Sequence, residues 1–304
     1  MKLRNLLTAL TAATVQCLCA AQPAPPIAAR NIGAAVLNGS TAFDFTSSIN
    51  ARQYRILVSV PPGFDTSQRY GVLYVLDGNQ YFGTTSEAVA RQSFLKTIKA
   101  IIVVGIGYQS NEFAVANRER WLDLTHSPSQ VPTPNKTGGG AAFQKVLLEE
   151  VRPFIVSSYP VDSSAEALWG QSLGGLFALH LMLEKPEAFA AYIFSSPSIW
   201  WNKKEVLAGL EGLPLKLTKL GAKLRVLVTS AADEQPRSTG PEFVYNPAQA
   251  MVDDATELSI RLGRSNPQYL SVSRTIFDGE VHNTVSPASL SRSLRYLFAQ
   301  DTKK

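Results

Sequence analysis

The chain has 304 residues, 45% of them hydrophobic and 17% charged, and carries a net charge of +5. That length can bury a full core in one domain. The charge is mild and no Lys/Arg run is present, which excludes nucleic-acid binding through a basic patch. No stretch beyond the N-terminus is long and apolar enough to span a membrane.

Residues 1–21 read as a secretory signal. Lys2 and Arg4 precede a short apolar run, Leu6 to Val15, and Ala20-Ala21 offers small residues for cleavage. The expected location is therefore secreted or periplasmic. Cleavage after Ala21 would remove both cysteines, Cys17 and Cys19, and lower the charge by two, from +5 to +3. The mature chain would then have no thiol to cross-link and would depend on core burial. Residues 22–45 read as a flexible leader rich in Ala, Pro and Gly, and 46–304 as a single domain.

Within that domain apolar β-type runs alternate with helical patterns, which predicts an α/β fold with a mostly parallel central sheet flanked by helices. In chain order, strands are expected at Tyr54–Val60, Val72–Leu76, Ile101–Ile106, Ala165–Trp169, Ala191–Phe194, Leu224–Ser230 and Leu270–Phe277. Helices are expected at Ser86–Ile98, Ala141–Ser158, Leu173–Leu183, Pro247–Leu262 and Pro287–Phe298. Between Ile106 and Ala141, the Ser, Pro, Asn and Gly-rich segment His126–Gly140 reads as a flexible loop, with the role of a lid left open.

The segment Gly170-Gln171-Ser172-Leu173-Gly174-Gly175 stands between an expected strand and an expected helix. That is the setting of a Gly-x-Ser-x-Gly nucleophile elbow, in which a sharp turn presents the Ser hydroxyl. The N–H of Leu173, at the helix start, would face a developing oxyanion. A second donor is expected after the strand Val72–Leu76, from Gly78 or Asn79 in Asp77-Gly78-Asn79, although an ordinary Asp-Gly turn reads the same way.

The chain has three histidines, and elimination points to one as the base. In this chain order the Ser comes first, then the acid, then the His. His126 precedes Ser172 and reads as a surface or pocket-rim residue. His180 lies two turns along the expected helix, roughly 12 Å from its start, and reads as a helix-face or core residue. His282 follows the last strand. It could take the Ser proton and return it to the leaving group. The acid should follow the strand Leu224–Ser230, where Asp233 and Glu234 are both candidates and Glu234 is favoured slightly. Asp278 and Glu280 sit beside His282 and are expected to face solvent.

Several blocks together resemble the "Putative esterase" family of α/β-hydrolases, and most of all its siderophore trilactone esterase branch. They are Leu73 to Phe82; Arg120 with Asp123-Leu124-Thr125; Gly138-Gly139-Gly140 leading to Glu149-Glu150-Val151; the elbow with Phe177-Ala178-Leu179; and Ser195-Ser196-Pro197-Ser198-Ile199-Trp200-Trp201. Gly279-Glu280 before His282 completes the pattern. Three positions depart from it. Gln171 stands where the family often has His, His126 where Pro is common, and Ala231-Ala232-Asp233-Glu234 where Gly-Glu-x-Glu is usual. The last departure keeps Glu234 in register with the family's acid.

The resemblance implies a serine esterase with no metal and no cofactor, acting on a small-molecule ester such as a ferric catecholate trilactone. It also implies substrate contacts from Trp200, Trp201, Arg120 and Tyr81. Aromatic rings suit stacking on an aryl group, and at least one of the two Trp could instead be core. Arg120 suits either a negative substrate group or a brace to Asp123. The alternatives are a carboxylesterase or acyltransferase for other aryl, phenolic or polyketide esters, and a non-catalytic ligand-binding homologue.

Overall fold

The computed structural model describes residues 37–235 and 250–300. The expected signal segment 1–21 and most of the expected leader lie outside the described residues, as does the first turn of the helix expected from Pro247. Among the described residues, no helix is long and apolar enough to cross a membrane.

Eight strands form one sheet in the order β1-β2-β4-β3-β5-β6-β7-β8. β1 (Ser40–Thr46), β2 (Gln53–Ser59) and β4 (Ile101–Gly107) pair antiparallel in sequence. From β4 onward every pairing is parallel, through β3 (Tyr70–Leu76), β5 (Val161–Gln171), β6 (Ala191–Ser195), β7 (Leu224–Ala231) and β8 (Leu270–Phe277). The expected sheet is therefore present, with one strand more than expected. β1 corrects the leader boundary at residue 45. Ser40 to Thr46 is a strand whose Asp44 pairs with Arg55 of β2.

The central strands read as unbroken apolar runs because both of their faces are covered. Val72, Tyr74 and Leu76 of β3 face a core shared with α3 (Gly140–Lys145), α4 (Arg152–Ser158), α5 (Leu173–Glu184) and α7 (Met251–Ser265). Leu73 and Val75, pointing the other way, join a second core with α1 (Gly78–Phe94) and α8 (Ser286–Phe298). A π-helical stretch, Val146–Val151, joins α3 to α4. Two helices were not expected, α2 (Phe113–Asp123) and α6 (Leu213–Leu220).

The segment His126–Gly140, expected to be a flexible loop, is tied at both ends. The N–H groups of Gly138, Gly139 and Gly140 donate to Thr125 Oγ1, Leu122 O and Thr125 O. Its early part is held by Asn202, whose amide donates to Ser127 Oγ and Pro128 O and accepts from the N–H of Gln130.

Candidate active site

Parallel strands all deliver their following loops to one edge of the sheet, and that edge is where α/β folds build sites. β3 and β5 are direct neighbours with Val75 opposite Trp169, so Asp77-Gly78 and Ser172-Leu173 emerge side by side. Ser196, Glu234 and His282 follow β6, β7 and β8 on the same edge.

Ser172 adopts φ 58° and ψ −120°, a region L-residues rarely occupy, and caps the N-terminus of α5. The flanking glycines make that turn possible. A Cβ on Gly170 would overlap the carbonyl of Gly174, and one on Gly175 would lie 3.0 Å from Pro197 Cα. The turn is pinned by Ser172 N–H donating to Ser195 O at 3.0 Å and by Ser198 N–H donating to Ser172 O at 3.1 Å. The Ser172 hydroxyl is hydrogen-bonded to the hydroxyl of Ser198 at 3.2 Å.

His282 Nδ1 lies 2.6 Å from Glu234 Oε1. An ionised carboxylate only accepts, so Nδ1 carries the proton and Nε2 is left as the basic nitrogen. The second oxygen of Glu234 accepts from Ser196 Oγ at 2.9 Å and from Ala231 N–H at 3.0 Å. The Glu234 side chain is 2% exposed, and these bonds hold it in one orientation. Asp233 is exposed. Its backbone N–H donates to Glu280 O, joining the acid's turn to the loop of His282. Of the two carboxylates left open by the sequence, Glu234 is the one on the imidazole. Asp278 is exposed as expected, and the Glu280 carboxylate accepts from Thr284.

Gln171 makes a connection that the sequence shows only as a departure. It is buried, its amide donates to His282 O at 2.7 Å, and its carbonyl oxygen accepts from Ser286. Ser196 and Ser198 likewise carry no role in the sequence reading, although they lie in a block that follows β6. Their signal was position, at the end of the strand next to the elbow.

The second donor expected from a loop sits at the start of a helix. α1 begins at Gly78, eight residues before the expected Ser86, so the N–H groups of Gly78 and Asn79 belong to its first turn. First-turn N–H groups lack partners within the helix and favour negative charge. The first turn of α5 abuts this one, since a Cβ on Gly174 would meet Asp77 Oδ2 at 3.4 Å and Leu76 Cβ at 3.5 Å. Gly78 packs on β4, where a Cβ would lie 2.8 Å from Gly105 C and Ile106 N. The Asn79 side chain is spent on β4's end, donating to Tyr108 O at 2.9 Å and accepting from Tyr108 N–H at 2.7 Å.

Arg120 is braced to Asp77, and not to Asp123, the brace weighed in the sequence beside a negative substrate group. Its guanidinium grips Asp77 in two bonds of 2.8 and 2.9 Å. Burial works to lower the basicity of this guanidinium, and Asp77 more than reverses it, holding its pKa above the ordinary value. Asp123 pairs instead with Arg52. Trp201 is 2% exposed, packs edge-on against Trp121 at 5.9 Å and belongs to the core, which corrects its expected substrate contact. Trp200 is the half-buried one of the pair. Tyr81 packs edge-on against Trp169 at 5.0 Å. His126, expected at the surface or a pocket rim, is half-buried against α5, its side chain 10% exposed.

A strained Ser at a helix start, a carboxylate–imidazole pair and two converging helix N-termini form a constellation suited to acyl transfer. Comparison with known proteins agrees. Residues 47–243 match the family model described as "Putative esterase". The chain belongs to that family. This esterase is 32% identical to the ferri-bacillibactin esterase BesA of Bacillus subtilis (strain 168) over 283 residues, covering 87% of this chain and 94% of that one. It is 31% identical to the siderophore triacetylfusarinine C esterase of Aspergillus fumigatus, over 81% of this chain and 88% of that one. The crystal structure of the BES protein from Bacillus cereus superposes with a TM-score of 0.79 at 33% identity, covering 90% of this chain and 99% of the other. The esterase is an enzyme, a serine hydrolase acting on carboxylic ester bonds.

Proposed function

We propose that this esterase opens the ester bonds of a siderophore trilactone, with Ser172 as nucleophile and His282 as general base. The observation that carries the residue assignment is the strained Ser172 at the edge where Glu234 holds His282 Nδ1 at 2.6 Å. Ser172 Oγ rotates from Ser198 toward the imidazole and attacks the ester carbonyl carbon, while Nε2 takes its proton. The tetrahedral oxyanion is held by the N–H groups of Leu173 and of Gly78 or Asn79. The imidazolium, stabilised by Glu234, then protonates the leaving alcohol as the C–O bond breaks. Water attacks the acyl-Ser172 carbonyl as Nε2 takes one of its protons, and Nε2 returns that proton to Ser172 Oγ as the acyl C–O bond breaks and the acid leaves.

The substrate class rests on relatives whose names specify siderophores, ferri-bacillibactin and triacetylfusarinine C among them. Trp200, half-buried after β6, offers a face for a catechol ring. Export from the cytoplasm is part of the proposal and rests on the N-terminal pattern of Lys2, Arg4 and Leu6 to Val15 alone.

The test is hydrolysis of ferric enterobactin, ferric bacillibactin and p-nitrophenyl butyrate by wild type and Ser172→Ala, with products followed by mass spectrometry. Stepwise loss of monomer units by the wild type only is the expected result. Brisk cleavage of the simple ester with intact trilactones would overturn the substrate assignment and leave the hydrolase.

A further inference from the structure

α5 is buried along its whole length except at His180 and Glu184. These two lie one turn apart on one face of the helix. His126, from the segment that follows α2, lies over them. Its ring stacks on that of His180 with centroids 4.1 Å apart, and its Nε2 is 3.9 Å from Glu184 Oε1.

Three imidazole nitrogens in this cluster, Nδ1 and Nε2 of His126 and Nε2 of His180, are buried without a hydrogen bond. Each such group costs roughly 1–3 kcal/mol if left unpaired, and native cores rarely leave one. Gln144 borders the cluster. Its amide donates to Glu184 Oε2 at 3.0 Å, and its own oxygen is buried without a partner. A neutral imidazole has one N–H and one bare nitrogen, so His126 brings one acceptor nitrogen to this cluster, beside Gln144 Oε1 and the Glu184 carboxylate. A neutral imidazole leaves one ring nitrogen with a lone pair to offer a cation. Glu205 adds a second negative charge near His126.

We propose that His126, His180 and Glu184 bind a divalent late first-row cation of the zinc class. Ligand atoms of the three residues lie within 4.8 Å of one another. Two imidazoles and a carboxylate are a known ligand set for such ions, with distances of about 2.0–2.2 Å. Closing to those distances needs a modest splay of the two rings and an inward swing of Glu184, whose side chain is 49% exposed. Gln144 Oε1 or a water fills the fourth position. The site is structural. It lies about two helical turns, roughly 12 Å, from the helix start that carries Ser172, and it fastens the 126–140 segment to α5. It does not depend on the assignment of the substrate.

The experiment uses untagged, chelator-stripped full-length protein carrying His282→Ala, which removes the catalytic imidazole as a source of signal. Zn2+ binding is followed by calorimetry and thermal unfolding, and Co2+ by its visible absorption. One equivalent of Zn2+ should bind at micromolar or tighter affinity and raise Tm by about 5 °C at a hundredfold excess over Kd. His126→Asn and His180→Asn should each abolish the rise. Glu184→Gln, on the exposed side, should weaken binding at least about tenfold without harming the fold, and it decides the matter if a His variant does not fold. Absence of saturable one-equivalent Zn2+ uptake, or uptake unchanged by Glu184→Gln, would overturn the proposal.

Discussion

Gln171 donates its side-chain amide to the main-chain carbonyl of His282 across 2.7 Å, and its other end accepts from Ser286 at the start of α8. β5, which delivers Ser172, and β8, which precedes His282, are not neighbours, for β6 and β7 lie between them. The residue immediately before Ser172 thus ties the elbow directly to the loop of His282. Gln171→Ala should cut kcat/KM for p-nitrophenyl butyrate by roughly 10²-fold, because an ångström of misplacement at the reacting groups costs about that much. Gln171→Glu should act in the same direction, since a carboxylate cannot donate to the His282 carbonyl. A rate within threefold of wild type in both variants would show that the His loop holds its place unaided.

Glu234 and Asp233 are adjacent in sequence and unequal in space. Glu234→Ala should lower kcat by about 10²–10⁴-fold, the range expected when the imidazole loses its orienting acid. Asp233→Ala should stay within a few-fold of wild type. Steady-state kinetics on a simple aryl ester distinguishes the two, and equal losses would contradict the geometry.

Arg120 and Asp77 form a bidentate, buried pair beneath the first turn of α1. Arg120→Met should destabilise the fold by about 3–5 kcal/mol in urea denaturation, because it strands a buried carboxylate. Arg120→Lys should recover only part of this, as an ammonium cannot match both oxygens. Activity should fall in both variants because Asp77 precedes Gly78, the proposed oxyanion donor.

Ser172 holds a backbone conformation suited to Gly. Ser172→Gly and Ser172→Ala should both be inactive, and both lose the bond to Ser198. The Gly variant should nonetheless be the more stable by about 1 kcal/mol, the order of strain at such a residue, which is readable as a Tm difference of a few degrees. Equal Tm values would mean that the turn carries little strain.

Trp200 and Trp201 should separate stability from binding. Trp201→Ala empties a core position and should cost about 3–5 kcal/mol. Trp200→Ala should leave Tm nearly unchanged and raise KM for a catecholate trilactone more than for p-nitrophenyl butyrate. A shared loss of stability would place Trp200 in the core as well.

Much of this was legible because it is local. The core strands announce themselves as apolar runs bounded by turns, and the elbow needs its glycines within a few residues of Ser172. Elements without such a signature were missed. β1 is an edge strand with alternating exposure, and it reads as part of a flexible leader until β2 is beside it. α2 buries only Ala116 and Asp123, so it shows no apolar period. α1 starts behind Asp77 in a left-handed conformation, φ 54° and ψ 47°, which no capping pattern in the sequence marks.

Partner choice was the other limit. The sequence by itself determined an α/β sheet and the chain order of the proposed nucleophile Ser172, its acid and His282 at one sheet edge, because strand and turn chemistry act over short spans. Only the tertiary structure decided that Glu234 and not Asp233 meets the imidazole, that Arg120 grips Asp77 and not Asp123, and that His126 lies on His180. Those contacts join residues from different elements. Asp123 lies three residues from Arg120 on α2, but Asp77, just after β3, is the carboxylate its guanidinium reaches. A side chain's partner is set by where folding brings its element, and that information is spread over the whole chain.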